Sequence, residues 1–121
     1  MSYDPSNIFA KILRQEIPCK AIYEDDYALA FHDIHPQAPV HVLVIPKGAY
    51  TDARDFYAKA SNDELSHFSR AVALVVDQLG LTEGGGYRLI SNHGLNGGQE
   101  VPHFHVHILG GKPLGPMLSP R

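Results

Sequence analysis

The chain has 121 residues, a formal net charge of −3 and 44% hydrophobic residues. That size supports one core rather than two, and the balanced charge leaves no basic stripe for a nucleic-acid polymer. Apolar runs such as 71–76 are too short to span a bilayer, Met1–Pro5 lacks the basic and apolar regions of a signal peptide, and the single cysteine, Cys19, fits a reducing cytoplasm.

Taken in chain order, Ser6 or Asn7 can cap a short helix over about Ile8–Gln15, with Pro18 preventing its continuation. Ala21–Glu24 and Tyr27–His32 read as a hairpin across Asp25-Asp26. Val40–Ile45 reads as a third strand, and its lack of polar alternation predicts cover on both faces. Residues 49–60 are ambiguous, a helical turn being one reading. Ser61-x-x-Glu64 is a capping box and Gly80 a candidate helix stop. Between them Leu65, Phe68, Val72, Val75, Val76 and Leu79 fall on one helical stripe, expected to pack on a sheet. Tyr87–Ser91 and His103–Leu109 supply two more strands. Five strands with two segregated helices make an α+β domain.

The informative segment is His103-Phe104-His105-Val106-His107. In a strand, alternate residues share a face, so all three imidazoles line up while Phe104, Val106 and Ile108 face a core. On a helix the same spacing would splay them around the cylinder. One histidine on the wet face of a strand is unremarkable; three in register with apolar neighbours are not. Imidazoles serve proton transfer, nucleophilic attack or metal binding near neutral pH.

Three histidines also form catalytic zinc sites, so the preceding loop decides between metal and bare imidazole chemistry. It reads Ser91-Asn92-His93-Gly94-Leu95-Asn96-Gly97-Gly98-Gln99-Glu100-Val101. Gly97 and Gly98 permit positive φ, so backbone amides there are expected to point at an oxyanion. Asn92 and Gln99 add neutral polar groups. Alone, this run is equally a hairpin loop rich in turn formers. Set directly before the histidines, it favours phosphoryl chemistry, and no metal or cofactor is expected.

Residues 97–111, Gly-Gly-Gln-Glu-Val-Pro-His-Phe-His-Val-His-Ile-Leu-Gly-Gly, resemble the signature of the histidine triad (HIT) superfamily. Ile8–Ile12, Glu16–Pro18, Ala30–Ile34, Pro36–Pro39 and His41–Lys47 resemble its Hint branch, and the likeness covers roughly residues 6–116. Glu100 and the stretch Gly111–Met117 look more like bacterial members than animal ones. The resemblance implies one HIT domain over 1–121, with a core of about 6–110 and a tail of 111–121. It also implies a mainly antiparallel sheet extended across a homodimer, and a nucleoside phosphoramidate hydrolase acting on purine nucleotides.

By the same resemblance, His105 is the nucleophile and forms a nucleotidyl-histidine intermediate, its other nitrogen bonded to a backbone carbonyl. His107 contacts phosphate and protonates the leaving amine, with His103 and His41 in support; for His41 a buried structural role fits the sequence equally well. Asp33 takes the ribose hydroxyls. Ile8, Phe9, Phe31 and Ile34 line the base slot, although each is also a natural core residue. Asn92, Gly98, Gln99 and Glu100 form the phosphate-side loop. Three departures stand out: Glu100 where animal members have serine, Pro102 before the first histidine, and Ala49 where many members carry histidine. Two other functions share these motifs: a dinucleoside polyphosphate hydrolase or nucleotidyl transferase using the same histidine, and a nonenzymatic nucleotide-binding module.

Overall fold

The structure, a computed structural model, describes residues 2–119. The tail expected over 111–121 therefore has its last two residues, and the domain expected over 1–121 its first, outside the described residues. Strand β3 (Val40–Pro46) is buried along nearly its whole length because both its faces are covered. On one face Val42 and Val44 join Ala28, Ala30, Val106 and Ile108 under Phe68, Ala71, Val75 and Val76. On the other, Leu43 and Ile45 join Leu29 and Phe31 under Phe9 and Ile12. The missing polar alternation of this strand thus has its cause in a helix on each side.

Around β3 the sheet runs β1 (Ala21–Glu24), β2 (Ala28–His32), β3, β5 (Val106–Gly110), β4 (Tyr87–Ile90), with every neighbouring pair antiparallel. The turn between β1 and β2 is fixed by Asp25, whose carboxylate accepts from the amides of Tyr27 and Ala28. That excludes Tyr27 from the strand expected to start with it.

Helix α1 (Ile8–Leu13) is capped by Asn7, whose side chain accepts from the Ala10 amide at 2.9 Å. It stops short of Gln15, which turns the chain away with φ at 64°. Helix α3 (Asn62–Gln78) carries the full capping box between Ser61 and Glu64 and ends before Gly80 at φ 66°. Among the described residues there are four helices rather than the two expected. Helix α2 (Ala53–Lys59), capped by Asp52, forms within the stretch the sequence left ambiguous. A four-residue turn, α4 (Gly94–Gly97), forms in the glycine-rich loop.

The strand expected over His103–Leu109 begins only at Val106. Pro102 has no amide to donate, the His103 amide turns back to Val101, and the Phe104 amide donates to the Tyr50 carbonyl at 2.7 Å. Only His107 of the three histidines is therefore in the ladder. The alternation survives without it, because Phe104 is driven into an aromatic cluster. Its ring stacks on Phe56 of α2 at 5.0 Å and lies 5.3 Å from Phe68 of α3. A buried phenylalanine of this kind is worth roughly 3–5 kcal/mol against alanine. It acts as the anchor that turns His103 and His105 to the α1 side.

Candidate active site

His103 and His105 bring their rings against α1, and His107 lies beside His105. Phe9 meets the His105 ring edge-on at 5.0 Å and the His103 ring at 6.3 Å, and His105 lies 4.9 Å from His107. His41 of β3 shares this face with Leu43, opposite which His107 pairs in register. The structure brings the four imidazoles together, although two of them sit ahead of the strand.

Hydrogen bonds assign a tautomer to every ring, since a carbonyl can only accept and a backbone amide can only donate. His105 Nδ1 lies 2.6 Å from the His103 carbonyl, so Nδ1 carries the proton and Nε2 keeps its lone pair. His103 Nε2 donates to the Pro46 carbonyl at 2.8 Å, so its Nδ1 accepts from the Tyr3 hydroxyl at 2.6 Å. The Gln37 amide donates to His41 Nδ1 at 3.0 Å, which puts the proton of His41 on Nε2. That Nε2 lies 2.9 Å from His107 Nδ1 and 3.4 Å from a carboxylate oxygen of Asp33. His107 Nδ1 is thus an acceptor, and its Nε2 carries the proton. A ring with a free lone pair on Nε2 thus stands beside one that carries its proton on Nε2.

The electrostatics keep the rings neutral. Burial pushes His105 and His41 below the ordinary imidazole range, against the opposing pull of His105's bond to the His103 carbonyl and of Asp33 beside His41. His107 is pushed down to about 4, by burial first and then by the neighbouring His105 and His41. His103, with no exposed surface, is pushed down to about 4 as well, chiefly by burial.

This has a measurable consequence for stability. Between pH 6.5 and 4 the unfolded chain binds protons that the folded chain refuses, so stability falls as pH drops through this window. For His103 alone, the fully buried ring, the effect approaches about 3 kcal/mol at ~1.4 kcal/mol per pH unit. Thermal unfolding followed from pH 8 to pH 4.5 should show Tm steady above pH 7 and falling by roughly 10 °C at the acid end. A Tm that holds steady to pH 4.5 would contradict neutral burial of these rings.

His105 and His107 line a cleft of about 310 Å³ together with Phe9, Asp33, Leu43, Asn92, Gly98, Glu100 and Val101, among others. Asp33 is fixed by one oxygen accepting from the His35 amide at 2.8 Å, while the other faces His41. Of the expected base-slot residues, Phe9 lines this cleft and Phe31 is packed in the core behind it. Ile34, 80% exposed, borders a larger open depression shared with Asp33 and His41. Ile8 is exposed on α1 and borders neither.

The loop differs from its sequence reading. The amides of Gly97 and Gly98 do not point at an oxyanion; they donate to the His93 and Gly94 carbonyls inside α4, and the Gln99 amide also returns to Gly94. Gly98 is the left-handed residue that ends this turn, at φ 74°. The Gln99 side chain is likewise taken up within the protein, donating to the Thr51 carbonyl at 2.7 Å and the Val101 carbonyl at 3.0 Å. It ties the loop to the start of α2. Asn92 and Glu100 remain on the cleft wall.

Asp33, His41 and His107 present ligand atoms within 4.8 Å of one another, the geometry from which a metal site could be built. Here both nitrogens of His41 are engaged, so an ion would have to displace its bond to His107. One residue escaped the sequence reading altogether. Tyr3 reaches the buried His103 from 100 positions away, and no motif marks it.

Comparison with known proteins places the chain in a family. Residues 14–114 match the HIT domain family model. The chain is 55% identical to an uncharacterized 13.2 kDa HIT-like protein of Azospirillum brasilense, over 98% of this chain and 96% of that one. It is 47% identical to the purine nucleoside phosphoramidase of Escherichia coli K12, over 93% and 92% of the two chains. Among solved structures, a HIT family hydrolase from Clostridium thermocellum superposes with a TM-score of 0.83 at 41% identity, covering 94% of this chain and 97% of its own. The chain belongs to the HIT domain family.

Proposed function

We propose that this protein is a HIT family hydrolase that cleaves the P–N bond of purine nucleoside 5′-phosphoramidates through a nucleotidyl-histidine intermediate. The carrying observation is the pinned tautomer of His105, which leaves a neutral Nε2 in a cleft beside His107. Its lone pair attacks phosphorus, forming an N–P bond as the P–N bond to the amine breaks. The proton on His107 Nε2 passes to the departing amine nitrogen. The His41 Nε2–H bonded to Nδ1 of His107 steadies the charge that develops on that ring. Water then attacks the same phosphorus and breaks the N–P bond. It gives one proton back to His107, and the nucleoside monophosphate departs.

In this reading Asp33 receives the ribose hydroxyls, Phe9 and Leu43 supply apolar walls, and Asn92 meets the phosphate. Glu100 would repel phosphate with its carboxylate, so it contributes its backbone. The purine preference rests on the name of the Escherichia coli relative. Adenosine 5′-phosphoramidate should be turned over faster than diadenosine polyphosphates, at a rate indifferent to a strong chelator. Faster cleavage of the dinucleotides would favour the alternative HIT chemistry, and no turnover of either a binding module. Loss with chelator and recovery on adding zinc would overturn the metal-free mechanism.

We further propose a single HIT domain acting as a cytoplasmic homodimer whose sheet continues across the interface. Among the described residues no helix is long and apolar enough to cross a membrane. β4 is an edge strand with Tyr87 and Leu89 nearly half exposed. From within it Arg88 donates to the carbonyls of Gly115 and Pro116, holding a tail whose Met117 and Leu118 are 87% and 80% exposed. Such apolar groups gain by burial against a second copy. Sedimentation at micromolar concentration should give a dimer, and deleting residues 114–121 should change relative kcat/KM among phosphoramidates with different amines. A monomer, or unchanged kinetics after truncation, would refute the corresponding part.

A further inference from the structure

The nucleophile is oriented by a carbonyl that no sheet ladder holds. His105 Nδ1 donates to the carbonyl of His103, and that residue precedes the start of β5 by three positions. Around it Pro102 contributes no amide, and the backbone is tied through the His103 amide to Val101 and the Phe104 amide to Tyr50. Besides the buried Phe104 ring, the constraint on residue 103 itself is its side chain. Its ring has no exposed surface and is fixed at both nitrogens, by the Pro46 carbonyl at the end of β3 and by the Tyr3 hydroxyl.

Tyr3 is delivered by a structured segment. The Asp4 carboxylate accepts from both the amide and the hydroxyl of Ser6. The Asn7 side chain donates to the Asp4 carbonyl at 2.7 Å while capping α1, and Arg14 donates to the Pro5 carbonyl at 2.9 Å. These bonds fold residues 3–7 back over the start of α1, and the Tyr3 ring meets His103 edge-on at 5.6 Å. Because Pro46 takes the Nε2 proton, Nδ1 must accept, and the phenolic hydroxyl is the donor that suits it. Without that donor a buried lone pair is left unmatched, and the ring keeps one of the two bonds that fix it.

We propose that Tyr3 is a positioning residue for the nucleophile: by donating to His103 Nδ1 it immobilises residue 103, and so the carbonyl that orients His105. It touches no reacting atom. Its effect on turnover rests on the hydrolase reading above, whereas its effect on His105 does not.

Tyr3→Phe removes the hydroxyl and keeps the ring. In the full-length protein, histidine ¹⁵N NMR should show His103 Nδ1 moving to the position of an unbonded imidazole nitrogen. The His105 Nδ1 proton should exchange with water roughly tenfold faster. With adenosine 5′-phosphoramidate, kcat should fall roughly tenfold at unchanged KM, the mark of a misplaced attacking atom rather than of weaker binding. Unchanged exchange at His105 in Tyr3→Phe, whatever the Tm does, would overturn the proposal, as would a wild-type His103 protonated on Nδ1. If wild-type protein hydrolyses no phosphoramidate, the functional reading fails, and the exchange measurement still decides the role of Tyr3.

Discussion

His105→Asn is expected to lose turnover on the order of 10⁴-fold or more while still binding nucleoside monophosphate. Asparagine carries an amide N–H at about the reach of Nδ1, so the bond to the His103 carbonyl at 2.6 Å in the native protein has a replacement donor. The contact with Phe9 shrinks but the cleft keeps Asp33, Leu43 and Asn92. What disappears is the Nε2 lone pair, and with it the proposed covalent intermediate. Calorimetric titration with AMP should therefore give a Kd within a few-fold of wild type. Wild-type enzyme quenched in base during turnover should carry substrate phosphorus on His105 alone. Near-normal turnover of the variant would sink the central-histidine mechanism, and so would label on His107. Partial loss with weakened AMP binding would assign His105 to binding instead.

The difference between what the sequence makes legible here and what it hides has a physical basis. Alternation at 103–107 announces which rings share a face, because side-chain direction depends on local backbone geometry and needs no knowledge of neighbours. The length of the strand does not follow, since ladder bonds depend on partners. Pro102 lacks a donor and Phe104 takes its carbonyl from Tyr50, far off in sequence. Glycines 97 and 98 show the same limit. Their freedom to adopt positive φ is legible, but whether their amides face a ligand or close a turn depends on α4, a single turn too short for periodicity to reveal. Helix α2 was obscured for a related reason: its one fully buried residue, Phe56, answers to Phe104 and Phe68 rather than to a stripe of its own.

Among the site residues, those recognised by motif are the ones whose roles are local, such as His105 and its own upstream carbonyl. Gln99 lies within the motif yet bonds backbone at Thr51, and Tyr3 lies outside every motif yet reaches His103. Both act across the fold, joining segments that only tertiary structure brings together. The tautomers of His41, His103 and His107 are likewise beyond sequence, because each is set by a hydrogen bond that only the fold shows. Together with that of His105, they are what distinguishes the attacking ring from the acid in the proposed mechanism.

That division of labour gives the last prediction. His107→Gln should slow P–N cleavage by roughly 10²- to 10⁴-fold, the usual range for loss of a positioned proton donor. Glutamine can accept from His41 through its carbonyl oxygen and still offers an N–H to the phosphate, so ground-state binding should change little. Its amide cannot surrender a proton to the amine nitrogen. The defect should therefore depend on the leaving group. Phosphoramidates of strongly basic alkylamines need the acid most and should suffer the largest loss. A 5′-phosphate ester of p-nitrophenol leaves as a stable anion and should be cleaved within about tenfold of the wild-type rate. In His105→Asn both substrates should fail together, since both require the attacking nitrogen. A uniform loss across leaving groups in His107→Gln would show that His107 binds phosphate without donating a proton, and the acid would have to be sought elsewhere in the cleft.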